Sequence, residues 1–217
     1  MSLPPLTRLT DDVTAYSADV TTLMPDDWAA QILECSRAHS RWQVLDGASV
    51  TSRETHFRDE SSPKVGVVTG DVIADTLPWL DALYRGRFLE MANSLGVGAF
   101  EPCTELRAAT NINATPRGAR YEWHVDSNPL TGLLFATSHL PDEGGQLIFR
   151  PDPQTRPDET WTLQVSPKAG TLLLFDAREA AHVVTRLEAD LRLSVPMNYY
   201  LQGRQHRPED LDGYLYT

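Results

Sequence analysis

His124 and Asp126 stand two residues apart in the stretch Tyr121-Glu122-Trp123-His124-Val125-Asp126. On an extended strand, residues i and i+2 project from the same face. An imidazole and a carboxylate would then aim at one point above a sheet, which is a pair of donors for a divalent cation. Iron(II) favours two imidazoles and one carboxylate on one face of the ion, with the other positions open. The second imidazole must come from elsewhere in the chain. His182, in Ala180-Ala181-His182-Val183-Val184, is the leading candidate, 56 residues past Asp126. Its rival is His139, 13 residues past Asp126 and just ahead of Pro141-Asp142-Glu143-Gly144-Gly145, at an expected strand end. His39, His56 and His206 read as surface or structural histidines. Ten residues after His182 comes Arg192-Leu193-Ser194.

His-x-Asp, a distal His and then Arg-x-Ser, in that order, resembles the pattern of the iron(II)- and 2-oxoglutarate-dependent oxygenases. Gly118, Tyr121 and His124 match the Gly-x-x-Tyr-x-x-His of the prolyl-4-hydroxylase-like branch. Gly144-Gly145-Gln146-Leu147 resembles its Gly-Gly-Glu-Leu, and the run from Pro167 through Gly170 to Phe175-Asp176 resembles the strand before the distal His. The resemblance spans about residues 104–201. It implies a double-stranded β-helix (jelly-roll) core, with His124, Asp126 and His182 as the catalytic iron(II) ligands. It also implies 2-oxoglutarate and O2 as cosubstrates, with the C5 carboxylate of 2-oxoglutarate on Arg192 and Ser194. The branch often carries a Tyr nine residues before the first His, in contact with the cosubstrate. Thr115 stands there in this chain. Asn111 and Asn113, alternating inward on the preceding strand, are the candidates for that contact.

Iron held by two neutral imidazoles and a carboxylate keeps a net positive charge and three open positions. The keto oxygen and C1 carboxylate of 2-oxoglutarate fill two, and O2 the third. Oxidative decarboxylation then releases succinate and CO2 and yields an oxidant able to attack an unactivated C–H bond. The far carboxylate is buried and has to be paired, which an Arg fork and a hydroxyl do well. Leu187-Glu188-Ala189-Asp190 reads as a hairpin turn between the strands of His182 and Arg192. That places Arg192 across from about Thr185, roughly 10 Å along the sheet from His182 at ~3.3 Å per residue. Related oxygenases that halogenate lack the metal carboxylate. Asp126 fills that place, so hydroxylation is expected, with desaturation and ring closure left open. The expected substrate is a small molecule, an amino acid or natural-product intermediate. The alternatives are a peptidyl (prolyl-type) hydroxylase and a metal-binding jelly-roll sensor without turnover. Arg192-x-Ser194 speaks against the sensor, which has no need of a carboxylate clamp.

The elements that must carry these residues follow from the pattern of the rest. The 217 residues, 41% of them hydrophobic, suit one domain with a sizeable core. Residues 1–103 are expected to form a helical support with a lid, 104–201 the catalytic core and 202–217 a polar tail. No apolar run reaches the roughly 18–20 residues of a membrane span. The first residues lack the basic and apolar regions of a signal peptide, so a cytoplasmic protein is expected. A net charge of −11 disfavours a phosphate backbone as partner. Cys35 and Cys103 read as two free thiols.

Residues 1–25 read as an extended lead-in. Pro25-Asp26-Asp27 opens a helix to about residue 39, with Trp28, Ile32 and Cys35 on its apolar face. Residues 41–50 suggest a strand. The polar run 51–63 reads as a surface linker or a lid over the site. Residues 70–95 suggest a helix broken at Pro78 or Gly86. Eight β-type runs follow: 104–113, 119–126, 131–138, 145–150, 160–166, 170–175, 181–186 and 191–201. Helices first and short strands after make the chain α+β. Trp123, beside His124, should point to the opposite face and pack. Arg107, Arg117 and Arg120 read as solvated charges, or one of them as a contact for an acidic substrate group.

Overall fold

A computed structural model describes residues 2–44, 64–126, 128–150, 162–178 and 180–204. The expected lid, 51–63, and nearly all of the expected tail lie outside them. Two antiparallel sheets organise the rest. The larger has nine strands, the smaller four. Its strands come from both halves of the chain: β1 (Thr7–Arg8), β2 (Ala15–Asp19), β3 (Arg41–Val44), β4 (Lys64–Val68), β5 (Phe100–Pro102), β6 (Ile112–Pro116), β8 (Leu130–Phe135), β11 (Thr171–Phe175) and β13 (Leu191–Leu201). Their order is β1-β2-β11-β8-β13-β6-β4-β3, with β5 on the far end of β13. The smaller sheet runs β10-β9-β12-β7, formed by Leu163–Val165, Leu147–Arg150, Ala181–Val184 and Tyr121–His124.

Helices cover the outer face of the large sheet. They are α1 (Trp28–His39), α2 (Gly70–Thr76), α3 (Pro78–Arg85), α4 (Arg87–Ser94) and the short α5 (Leu106–Ala109). Ile32, Leu80, Phe88 and Met91 from the helices pack with Leu134, Leu174, Val195 and Tyr199 from the sheet. On the other face, Leu133, Phe135, Leu173 and Phe175 meet Leu147, Phe149 and Val184 of the small sheet. The central strands are thus covered on both sides. This is why β8 and β11 read as almost continuous apolar runs rather than alternating ones, since neither face meets water. Among the described residues, no helix is long and apolar enough to cross a membrane.

The helix expected over 70–95 is broken at both proposed points. Leu77 caps α2 just before Pro78, whose missing N–H is harmless in a first turn, and Gly86 separates α3 from α4. Six of the eight expected runs contain the strands seen and the run 131–138 overlaps β8, which starts one residue earlier, while the run expected over 104–113 is a short helix followed by a strand at Ile112–Pro116. The lead-in is more than a tail: β2 pairs along the whole of β11. Strand β4, missed in the sequence because a glycine interrupts its three valines in so short a run, pairs with β6. Cys35 and Cys103 are both buried free thiols.

Candidate active site

His124 and His182 meet across the small sheet. They are direct register partners on the antiparallel pair β7 and β12, so both rings leave the same face, the one toward the large sheet. Their ring centroids are 4.2 Å apart. Asp126 lies just beyond β7, its amide donating to the Ala177 carbonyl at 2.9 Å. Its Oδ1 is 3.6 Å from Nε2 of both His124 and His182. The three donor atoms lie within 4.8 Å of one another, the one such His/Cys/Asp/Glu group among the described residues. His182 packs against Phe149 and Phe175 and is buried, whereas His124 and Asp126 are partly open. The site therefore faces outward on the His124 side.

The tautomer of His182 follows from its partner. Nδ1 lies 3.1 Å from the Ala180 carbonyl, which only accepts. Nδ1 therefore carries the proton, and the lone pair of Nε2 faces Asp126 Oδ1. Burial, with His124 beside it, pushes the pKa of His182 down to about 4 against the weaker pull of Asp126 and that carbonyl. The ring is a neutral donor at physiological pH. Asp126 Oδ2 accepts a hydrogen bond from Thr131 Oγ1 at 2.7 Å. Two ring nitrogens and one carboxylate oxygen converging with an open side match the donor chemistry of iron(II). His139 is elsewhere: its Nε2 lies 3.0 Å from Thr137 Oγ1, and burial and the nearby Arg192 lower its pKa.

Arg192 lies on the inner face of the large sheet. Its register partner is Thr115 of β6, and Ser194 pairs with Asn113. The expected hairpin with β12 is not formed, which corrects the placement of Arg192 opposite Thr185. The chain leaves the small sheet after Val184 and enters the large one at Leu191. Thr185 bonds Gln146 instead, and Leu187 is held by Gly118 and Ala119. A turn of four residues can change sheets when a second loop supplies its backbone partners, and the loop at 118–119 does so here.

The Arg192 guanidinium is almost wholly buried. Nε donates to the Gly145 carbonyl at 3.0 Å, Nη1 donates to Ser194 Oγ at 2.9 Å, and Phe135 lies beneath at 5.4 Å. Nη2 is buried with no partner, and no acidic side chain among the described residues pairs with the cation. Burial lowers the pKa of Arg192 only to about 10, so the charge stays. The Gly-Gly turn is what permits this placement. At Gly144, a Cβ would clash with the Arg186 carbonyl oxygen, and at Gly145 one would fall 3.1 Å from Arg192 Cδ. Both have positive φ, 71° and 72°, a region glycine enters without strain.

Three more unpartnered polar atoms belong to this pocket: Thr115 Oγ1, Asn113 Oδ1 and the Tyr121 hydroxyl. Tyr121 is the residue sequence reasoning missed. Three places before His124, it should point to the opposite face of a regular strand. A bulge between the His182–His124 and Val184–Tyr121 pairs turns it inward with them. Its hydroxyl is close enough to Thr115 and Arg192 for both to pull its pKa down, yet burial wins and raises it. The phenol stays protonated. The Gly-x-x-Tyr-x-x-His match was the signal that could have marked it. Of the two asparagines, Asn113 lies beside Ser194, whereas Asn111 donates through Nδ2 to the Arg107 carbonyl at 2.8 Å and keeps a buried Oδ1 without a partner. Trp123 packs on the outer face of the small sheet, as expected, beneath Arg150. Arg117 forms an exposed ion pair with Asp190.

Comparison with known proteins follows the geometry. Residues 110–200 match the model of the 2OG-Fe(II) oxygenase superfamily. No curated protein matches. Among solved structures, the chain resembles the non-heme alpha ketoglutarate dependent carbocyclase SnoK from nogalamycin biosynthesis, with TM-score 0.63 and 13% identity over 96% of this chain and 87% of that one. It resembles the epimerase SnoN in complex with Fe3+, alpha ketoglutarate and nogalamycin RO, with TM-score 0.62 and 15% identity over 93% and 84%. A prolyl hydroxylase from Trichoplax adhaerens, in complex with a hypoxia inducible factor peptide fragment, gives TM-score 0.53 and 15% identity over 86% and 83%. These likenesses are of fold. The family match over residues 110–200, with the His-Asp-His cluster inside it, assigns that part of the chain a 2OG-Fe(II) oxygenase domain, as in 2-oxoglutarate-dependent dioxygenases, which work with iron(II), 2-oxoglutarate and O2.

Proposed function

We propose that the protein hydroxylates an unactivated C–H bond of a small molecule, an amino acid or natural-product intermediate, with release of succinate and CO2. The observation that carries the reading is Arg192, a buried cation with an unpartnered Nη2 and no acidic partner among the described residues. A buried charge without a counterion costs several kcal/mol, so the pocket calls for an anionic ligand. The C5 carboxylate of 2-oxoglutarate is that anion.

In this reading His124, Asp126 and His182 hold the metal. When bound, iron(II) with 2-oxoglutarate supplies oxidative decarboxylation and, with O2, the oxidising power for C–H attack. The side chains bind and orient. Arg192 is fixed through Nε and Nη1, which leaves Nη2 for the carboxylate. Ser194 Oγ accepts from Arg192, so its own proton is available to the same carboxylate. The protonated Tyr121 hydroxyl and that of Thr115 would be further donors to it. Tyr121 and His124 are three residues apart on β7, so the anion pocket and the metal ligands lie within roughly 10 Å along the strand, a span for a five-carbon diacid with one end chelated. Asn113 and Asn111 both remain candidate cosubstrate contacts, each with a buried Oδ1 that has no partner, although Asn111 Nδ2 is held by the Arg107 carbonyl.

Asp126 supplies the metal's third protein donor, which favours hydroxylation over halogenation. The core from 104 to 201 is read as a double-stranded β-helix within a single domain, with residues 1–103 supporting it and closing its mouth. The two solved structures named for nogalamycin match the chain with TM-scores of 0.62 and 0.63, above the prolyl hydroxylase at 0.53, which supports a small molecule over a peptide. The test is succinate release with iron(II), 2-oxoglutarate and a panel of amino acids, peptides and natural-product intermediates, then mass spectrometry under labelled O2. One labelled oxygen in a small-molecule product is expected. A loss of two hydrogens would reassign the reaction to desaturation or ring closure, and turnover of peptides alone would reassign the substrate.

A further inference from the structure

We infer that Thr131, oriented by Asn128, is a positioning residue that makes Asp126 a single-oxygen metal ligand. The inference rests on the reading of Asp126 as a ligand. Thr131 sits on β8 of the large sheet, facing the small one, and is buried, as is Asn128. Thr131 Oγ1 lies 2.7 Å from Asp126 Oδ2 and 2.9 Å from Asn128 Nδ2.

Donor and acceptor roles leave one arrangement. Asn128 Nδ2 also lies 2.7 Å from the Leu130 carbonyl oxygen. A carbonyl only accepts, so the atom facing it is the amide nitrogen, not the oxygen. That nitrogen only donates, so Thr131 Oγ1 must accept from it. The one hydroxyl proton of Thr131 then points at Asp126 Oδ2. The carboxylate is thereby divided: Oδ2 is engaged by a neutral donor from the large sheet, and Oδ1 faces the Nε2 atoms of both histidines on the small sheet. A free carboxylate can swing to chelate through both oxygens and occupy a further coordination position. Held through Oδ2, Asp126 presents one oxygen and leaves that position to the cosubstrate. Hydrogen-bonded partners of metal ligands commonly contribute ~10–100-fold to metal affinity.

The test uses cobalt(II) added to the metal-free full-length protein, read by its visible absorption, with melting curves as the check on folding. Thr131→Val keeps the shape and removes the donor. Expected are ~10–100-fold weaker cobalt(II) binding and a changed absorption band, with Thr131→Ser restoring both to near the unmutated values. Asn128→Leu, which frees the hydroxyl to rotate, should weaken binding by a smaller factor and carries the test if Thr131→Val does not fold. Asp126→Ala is the reference. Wild-type affinity and band in both Thr131→Val and Asn128→Leu, with binding lost in Asp126→Ala, would overturn the positioning role and leave the ligand set standing. Undiminished binding in Asp126→Ala would overturn the ligand assignment and the inference with it.

Discussion

The two ends of the cleft between the sheets are built on opposite plans. At the metal end, every donor belongs to the small sheet or the loop leaving it. The histidines are held by the register of two paired strands, the His182 proton by a carbonyl two residues back, and Asp126 by the Thr131 hydroxyl of the large sheet. At the anion end, Arg192, Ser194 and Thr115 stand on the large sheet, while Tyr121 and the Gly145 carbonyl reach across from the small one. The metal end is partly open and its donors lie close to one another. The anion end is buried and short of partners. One end can form before its ligand arrives with little penalty, because the buried His182 ring is neutral and His124 and Asp126 are partly exposed to solvent. The other holds a desolvated cation and unpaired hydroxyls, so its binding energy for a carboxylate is large and depends on many distant elements being in place.

Substitutions separate the two plans, beginning with the largest effect. His182→Ala removes a buried donor of the metal end. Retention of iron(II) or cobalt(II) and all succinate release should be lost, and metal analysis of the purified variant against turnover checks it. Arg192→Ala should leave the metal in place but weaken 2-oxoglutarate binding by a few hundred-fold. Breaking a buried charged contact costs ~3–5 kcal/mol, and ~1.4 kcal/mol is tenfold. Calorimetric titration of 2-oxoglutarate into the metal-loaded variant reads this, and unchanged affinity would break the assignment of the anion end.

Gly145→Ala sharpens the comparison, because it lies in the small sheet's loop yet should harm the large sheet's guanidinium. A Cβ at 3.1 Å from Arg192 Cδ, on a backbone with φ of 72°, displaces the arginine. About tenfold weaker 2-oxoglutarate binding is expected in the same titration, with metal affinity unchanged. Tyr121→Phe deletes one neutral donor, worth ~0.5–1.5 kcal/mol. Its 2-oxoglutarate affinity should fall about fivefold. His139→Ala is the smallest change: metal content and succinate release should stay within about twofold of the unmutated protein, since its ring is engaged with Thr137. Loss of metal in that variant together with retention in His182→Ala would reverse the choice of second histidine.

The clustering of the proposed metal ligands was legible because two of them obey a local rule and the third the order of a motif. His124 and Asp126 share a face through a two-residue period, and His182 follows in the order that the resemblance led one to expect. Arg192-x-Ser194 was legible for the same reason. The sequence by itself therefore determined the donor types, their order, most of the strands of 119–201 and the helix breaks at Pro78 and Gly86, all consequences of period, backbone chemistry or motif. Tertiary structure alone decided that Arg192 faces Thr115 rather than Thr185, because four residues from 187 to 190 can turn within a sheet or pass between two, and only the loop at 118–119 settles which. It also decided the inward aim of Tyr121, since a bulge inverts the period-2 rule and depends on the partner strand. The membership of β2 and β4 in the large sheet likewise rests on contacts between distant segments, and the pairing of Thr131 with Asp126, only five residues apart, on how the chain crosses from the small sheet to the large one. Side-chain type and spacing specify what a residue can do; which partner it meets is set by how separate strands pack.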